Sequence, residues 1–284
     1  MVLRNPFKSS TFVKSGPGLV SRSFDGHRVD VLRPRMLTPT TPVLVIHDGM
    51  NVFFERYASS GVTWQVREGL AEGRIVGDPI VIAVWGEGGT VKFNPRRINE
   101  FLCDDIVALH PHLWETLNPL LAPPTREARG NYLLDLVSDE ILPAVLDEFG
   151  IEHKAERTAL AGCSVAGVAA IYALTKRSDV FGAALALSSH WEFGGTTLID
   201  VLVNQLGSAK GRIIWSDSGT EELDAASAPL NTHFGQQLTA RGWHQQLDFE
   251  TPIFWGTGHN EKYWARRFEY PVNFWLQRIH GIHE

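Results

Sequence analysis

The sequence predicts an α/β fold: a mostly parallel central sheet, an N-terminal antiparallel hairpin at one edge, and helices on both faces. Three observations predict it. Two alternating runs, Leu19–Phe24 and His27–Leu32, flank Asp25-Gly26, a strong two-residue turn signal. Short continuous apolar runs rich in β-branched residues, "PVLVIHD" (42–48) and "PIVIAVWG" (79–86), suit strands buried on both faces. From "RTALAGC" onward, such runs alternate with helix-period segments, as βαβ units do.

The elements follow in order. The first dozen residues read as an irregular arm, then the hairpin. "VTWQVREGLAEG" is a helix between the two apolar strands and ends in glycine. Residues 87–130 are irregular and bounded by proline-bearing clusters. A connection this long predicts a cap or pocket-wall insertion. A helix is expected over 132–149, with Pro143 as a kink point. "RTALAGC", "FGAALALSS", "GRIIWSDSG" and "HQQLDFETPIFW" are the remaining strands. "SVAGVAAIYALTKRS", "GTTLIDVLVNQLG", "PLNTHFGQQLTARG" and "NEKYWARRFEYPVNFWLQRIH" are the helices after them. No repeat, low-complexity tract or linker interrupts 1–284, so one domain is expected.

Bulk properties exclude several classes. The chain has 284 residues, 44% of them apolar, enough for a large core. It carries 26 Lys+Arg against 32 Asp+Glu, with no basic cluster, which argues against nucleic acid. Its two cysteines, Cys103 and Cys163, form no disulfide framework. The N-terminal segment has no signal-peptide apolar stretch, and no run reaches membrane-spanning length. The expectation is a cytoplasmic protein that binds no membrane. A homodimer is compatible with this composition.

The chemistry centres on "AGCSVAG". Ser164 lies between a buried strand and an Ala-rich helix, the setting of the Gly-x-Ser-x-Gly nucleophile elbow, with Ala166 where the second glycine would stand. The competing reading is a serine N-cap. A serine nucleophile needs a base, and His259 in "WGTGHNEKYW" follows the last strand and opens the last helix. The base needs an acid behind it. "WSDSGTEELDA" offers Asp217, Glu221, Glu222 and Asp224 after another strand. An oxyanion hole needs backbone N–H donors. Val165 follows the serine, and Met50 follows Gly49 after an early strand.

Together, "HDGMNVF", "ALAGCSVAGVAAIYAL", "SDSGTEELDA" and "GTGHNEKYWARRFEYPVNFWL", in that order, resemble the putative-esterase (esterase D-like) family of α/β-hydrolases, most of all the small enterochelin-esterase-like bacterial hydrolases. The resemblance spans about residues 20–280. It implies an α/β-hydrolase fold and a serine carboxylic-ester hydrolase working through an acyl-enzyme on a small-molecule ester, without cofactor. By that resemblance Ser164 is the nucleophile, His259 the base, and Met50 and Val165 the oxyanion donors. Glu222 is the expected acid and Asp224 the second choice, with Asp217 orienting the loop. An acyltransferase with the same triad, or a fold that kept only binding, are the alternatives.

Three further residues are expected near the substrate. His190 and Trp191 in "SSHWEF" follow the strand after the elbow and should rim the pocket. Arg97 in "PRRINEF" either faces an anionic substrate or pairs with Glu100. His110 and His112 have a metal-like spacing but no third ligand in sight, and no zinc, P-loop or dinucleotide motif occurs, so no metal site is expected.

Overall fold

The computed structural model describes residues 11–87, 96–116 and 126–281. The start of the expected N-terminal arm and parts of the 87–130 insertion (88–95 and 117–125) lie outside these residues. The strands are β1 (Val13–Gly16), β2 (Leu19–Phe24), β3 (His27–Leu32), β4 (Val43–His47), β5 (Ile80–Val84), β6 (Thr158–Cys163), β7 (Ala183–Leu187), β8 (Ile213–Ser216), β9 (Ser218–Gly219), β10 (Phe249–Glu250) and β11 (Ile253–Phe254). The helices are α1 (Val66–Ala71), α2 (Arg96–Phe101), α3 (Asp104–Leu109), α4 (Gly130–Asp135), α5 (Leu142–Phe149), α6 (Val165–Lys176), α7 (Gly195–Leu206), α8 (Asp224–Ala240), α9 (Glu261–Ala265) and α10 (Glu269–Ile279).

The main sheet runs β1-β2-β3-β5-β4-β6-β7-β8-β10. Pairings from β1 to β5 along this order are antiparallel, and those from β5 onward are parallel. This is the α/β-hydrolase arrangement. The hairpin turn has positive φ at both Asp25 (41°) and Gly26 (85°), the backbone that follows the right-handed twist of the flanking strands.

The parallel strands are buried on both sides, and their residues divide by strict alternation. Val43, Val45, Ile80, Ile82, Val84, Leu160 and Ile214 enter one core, with α6 and α7. Leu44, Ile46, Val81, Ala83, Leu185, Leu187 and Trp215 enter the other, with α10. Helix α6 is apolar nearly all round because it lies against the middle of the sheet and is covered in turn.

Several boundaries differ from expectation for identifiable reasons. The helix expected over 132–149 starts at Gly130, where a Cβ would come within 2.2 Å of the Leu102 carbonyl oxygen. Pro143 has no N–H to give, and the helix widens into a π-helical turn, Leu136–Ile141, just before it. The closing helix is split into α9 and α10. Helix α8 begins at Asp224, five residues before Pro229. In the described part of the 87–130 insertion, Ile98, Phe101, Ile106 and Leu113 are buried in the first core. Among the described residues no helix is long and apolar enough to cross a membrane.

The hairpin turn supplies a clean test of backbone strain. A Cβ at Gly26 meets nothing within 4 Å, so only its φ of 85° opposes a side chain. Gly26→Ala is expected to lower stability by about 1 kcal/mol, read as a shifted urea midpoint with an unchanged m-value.

Candidate active site

Parallel strands deliver their C-terminal ends to one edge, and the loops leaving β4, β6, β7 and β8 meet there. Ser164 occupies the turn between β6 and α6 with φ 62° and ψ −129°. This strained conformation is rare for a residue with a Cβ. It persists because strand and helix approach too closely for any relaxed turn. A Cβ at Gly162 would lie 2.4 Å from the Ala166 carbonyl oxygen and 2.9 Å from the Ala166 methyl. Ala166 is therefore accommodated by Gly162, and the missing motif glycine is replaced by a residue with helical backbone. The Ser164 N–H donates to the Leu187 carbonyl at 2.9 Å, and its own carbonyl accepts from Gly167 at 3.0 Å. Its side chain makes no capping bond. The hydroxyl instead lies 2.8 Å from His259 Nε2.

His259 is held from behind by Asp224, whose Oδ1 lies 2.6 Å from Nδ1. Asp224, not Glu222, stands at the ring. Glu222 has positive φ (56°), and its carboxylate accepts from the His259 backbone N–H at 2.8 Å and from the Asn260 side chain. Asp224 reaches the ring because it stands two residues later, as the first residue of α8, and is fully buried. Glu222 instead packs over Gly258, where a Cβ would fall 2.6 Å from its Cδ. The acid and histidine loops are laced together. Strands β9 and β11 pair in parallel, and Thr220 and Glu221 donate to the Thr257 carbonyl at 2.9 and 3.0 Å. Burial pushes the Asp224 carboxyl up, but bonds from His259, Ser188 and the Gly219 N–H outweigh it and hold the group below its ordinary range.

Three residues to which the sequence assigned no role complete this region. Ser188 (φ 45°) donates its hydroxyl to Asp224 Oδ2 at 2.6 Å. The Trp264 indole N–H donates to Ser188 Oγ at 2.8 Å, and its ring stands edge-on to His259 at 5.2 Å. Arg267, buried, donates to the same hydroxyl at 2.5 Å. Asp217 does not orient the acid loop as expected. It accepts from the Ser188 N–H and the Trp215 indole, both at 2.9 Å, and pairs with Arg267 at 3.1 Å.

The candidate oxyanion donors sit on neighbouring strand ends, since Ile46 of β4 pairs with Ala161 of β6. Val165 is the first residue of α6, where an N–H has no partner within the helix. Met50 is the middle residue of a tight turn, Gly49–Asn51. A Cβ at Gly49 would fall 2.6 Å from the Trp85 ring and 2.7 Å from the Ala83 carbonyl carbon, so only glycine allows this turn to lie against β5. Asp48, at φ 55°, accepts a two-pronged bond from Arg97, both distances 2.7 Å. Arg97 thus clamps the loop that leaves β4 rather than pairing with Glu100. Glu100 takes the His27 ring at 3.0 Å instead.

The residues expected to rim the pocket are deeper than predicted. Trp191 is fully buried, packs on Phe234 with ring centroids 4.8 Å apart and donates to Asn231 at 3.2 Å, which makes it part of the core. His190 is fully buried as well. Its ring lies 6.2 Å from that of His259, and both ring nitrogens are without a partner. Burial, reinforced by His259, lowers its pKa to about 4. Cys163 is buried beneath the elbow, and burial raises its thiol well above the ordinary value, which suits packing and not reactivity. Among the described residues no cluster of His, Cys, Asp or Glu could hold a metal ion, and His110 and His112 only pack edge-on at 5.8 Å.

A family model described as "Putative esterase" matches residues 118–272, which hold the serine turn, the acid loop and the histidine. The chain belongs to the Putative esterase family. Solved structures similar to this esterase-family chain agree in fold. The enterobactin esterase FES from Shigella flexneri in the presence of enterobactin superposes with a TM-score of 0.63 at 19% identity, covering 96% of this chain and 62% of its own. The siderophore hydrolase EstA from Aspergillus nidulans gives 0.63 at 17%, covering 96% and 99%. The BES protein from Bacillus cereus gives 0.64 at 14%, covering 93% and 97%. This esterase-family chain therefore spans less than two thirds of the length of the Shigella enzyme, and at these identities the likeness is one of fold. No curated protein sequence matches it.

Two outcomes test this geometry. Gly162→Ala forces a Cβ onto the Ala166 backbone and is expected to lower stability by about 3 kcal/mol or more, measured by denaturant unfolding. For His190, the folded pKa lies below the unfolded value of about 6.5, so the unfolded state takes up the proton first. Its neutral ring contributes fully above pH 6.5, and that contribution is lost as pH falls toward 4. Between these limits the wild type is expected to lose about 1 kcal/mol per pH unit more than His190→Asn, measured by urea midpoints across the range.

Proposed function

We propose that this chain is a serine carboxylic-ester hydrolase acting through an acyl-enzyme, with Ser164 as nucleophile, His259 as base and Asp224 as the acid, in one α/β-hydrolase domain spanning 1–284. The observation that carries the reading is the unbroken chain of contacts from Asp224 Oδ1 through His259 to Ser164 Oγ, at 2.6 and 2.8 Å, built on a left-handed serine turn. Membership of the Putative esterase family supports the same reaction class.

In this reading the reaction runs in two stages, acylation and deacylation. His259 Nε2 takes the Ser164 proton as Oγ attacks the ester carbonyl, and Asp224 stabilises the imidazolium and fixes the Nδ1–H tautomer. The N–H groups of Val165 and Met50 hold the tetrahedral oxyanion, aided by the positive N-terminal end of α6. The imidazolium then protonates the leaving alcohol. Water activated by His259 releases the acid. Glu222 has a different task, gripping the backbone of the histidine loop. The names of the similar solved structures make enterobactin and other siderophore esters natural members of a substrate screen, beside short p-nitrophenyl esters.

Ser164→Ala is expected to abolish hydrolysis of p-nitrophenyl acetate and labelling by a fluorophosphonate while leaving the fold intact by circular dichroism. Asp224→Asn is expected to lower kcat by about 10³-fold or more, because the ring loses its orienting acceptor. Glu222→Gln is expected to lose less than about 10-fold. The reverse order of the last two would assign the acid to Glu222, and an active Ser164→Ala would remove the serine mechanism altogether.

A further inference from the structure

Behind His259 lies a buried charge cluster larger than the proposed triad requires. Arg267 Nη2 is 2.5 Å from Ser188 Oγ, 3.1 Å from Asp217 Oδ1 and 3.6 Å from Asp224 Oδ2, and Nη1 donates to Thr257 Oγ1 at 2.9 Å. All three charged groups are buried. Two carboxylates and one guanidinium in a dry site leave one net negative charge when His259 is neutral, and none when it is imidazolium.

We propose that Arg267 and Asp217 are positioning residues that set the basicity of His259. Arg267 lies closer to Asp217 (3.1 Å) than to Asp224 (3.6 Å) and orients Ser188, so that Asp224 keeps the larger share of its charge for the ring. The inference rests on the reading of His259 as the base. An isolated ion pair here would be replaceable by apolar packing. This pair is instead shared with the acid through one hydroxyl. Ser188 donates to Asp224 Oδ2 because Trp264 and Arg267 already occupy its acceptor side. Without Arg267 two buried carboxylates would compete for a single proton. Burial already pushes the Asp217 carboxyl upward, against the pull of Arg267.

The other ionisable groups facing His259 are accounted for. Glu222 sits on its backbone N–H, and the neutral His190 ring stands 6.2 Å away. Glu261 lies two residues along the chain in α9, and its charge acts on Arg97 and on Cys163 beneath the elbow. None of them touches Asp217, whereas Arg267 touches both it and Ser188.

The test is the titration of the His259 imidazole by NMR, identified by its loss in His259→Asn, together with the acidic limb of kcat/KM on a p-nitrophenyl ester. Arg267→Gln adds net negative charge and is expected to move both to higher pH by about one unit. Asp217→Asn removes negative charge and is expected to move both lower by about half a unit. Arg267→Lys keeps the charge and is expected to hold the titration within about 0.3 unit while lowering kcat, since one ammonium cannot hold both Ser188 and Thr257 as the two guanidinium nitrogens do. A folded Arg267→Gln or Asp217→Asn with unmoved titration overturns the proposal, as does Arg267→Lys moving as far as Arg267→Gln. If Arg267→Gln does not fold, Asp217→Asn alone decides. The NMR readout needs no substrate. The expected shifts in a protein that hydrolyses no ester would remove the esterase reading and keep the positioning, and unmoved shifts in an active enzyme would do the reverse.

Discussion

The contact between Gly162 and the backbone of Ala166 is the constraint on which the rest of the site depends. It brings α6 against β6 so closely that the residue between them has one way to turn, with φ positive and its side chain thrown clear of the sheet. Every later contact uses that position. Ser164 can meet His259 only because its hydroxyl is free of the helix it precedes. The Val165 N–H has no partner within the helix at the same point, because the helix starts there. Relaxing the turn would cost the site the Ser164–His259 contact and the helix-start position of Val165 together.

The second half of the site is held by lacing between loops. The acid and histidine loops leave different strands, yet β9 with β11 and the two bonds to the Thr257 carbonyl make them one unit. Gly219 and Gly258 are the close-approach points of this unit, with the Thr257 carbonyl and the Glu222 carboxyl packed where side chains would be. The His259 ring is thus fixed by its own backbone (through Glu222), by Asp224 and by the Trp264 ring. In the proposed mechanism this rigidity matters because the base must serve both acylation and deacylation without reorienting.

The parts that were legible in the sequence are those decided by local pattern. The hairpin matched at both strands because Asp25-Gly26 permits the positive φ values the turn needs. The strands that carry the loops announced themselves by apolar runs. Ser164 and His259, which the fold brings within 2.8 Å, each follow a strand and precede a helix, a placement that local pattern records. The failures share one cause. Glu222 and Asp224 are two residues apart in a segment with no period, and which one faced the ring depended on where α8 began. Trp191 was placed at a rim, but the start of α7 and Phe234 of α8 close over it. Arg267 lies inside the quoted histidine segment, but nothing there assigned it a role. A cation in an aromatic segment eight residues after His259 gave no signal that it would turn inward to meet Asp217.

The sequence by itself determined the α/β class, the order of elements and which loops meet at the carboxyl edge of the sheet, because alternation, periodicity and turn chemistry act over a few residues. Only the tertiary structure decided which carboxylate stands behind His259, that Arg97 clamps Asp48, and that Ser188, Trp264 and Arg267 form the layer beneath. Those choices are made by buried charges finding partners across long stretches of chain. Desolvation makes any unpaired arrangement expensive, and no local pattern records which partner is within reach.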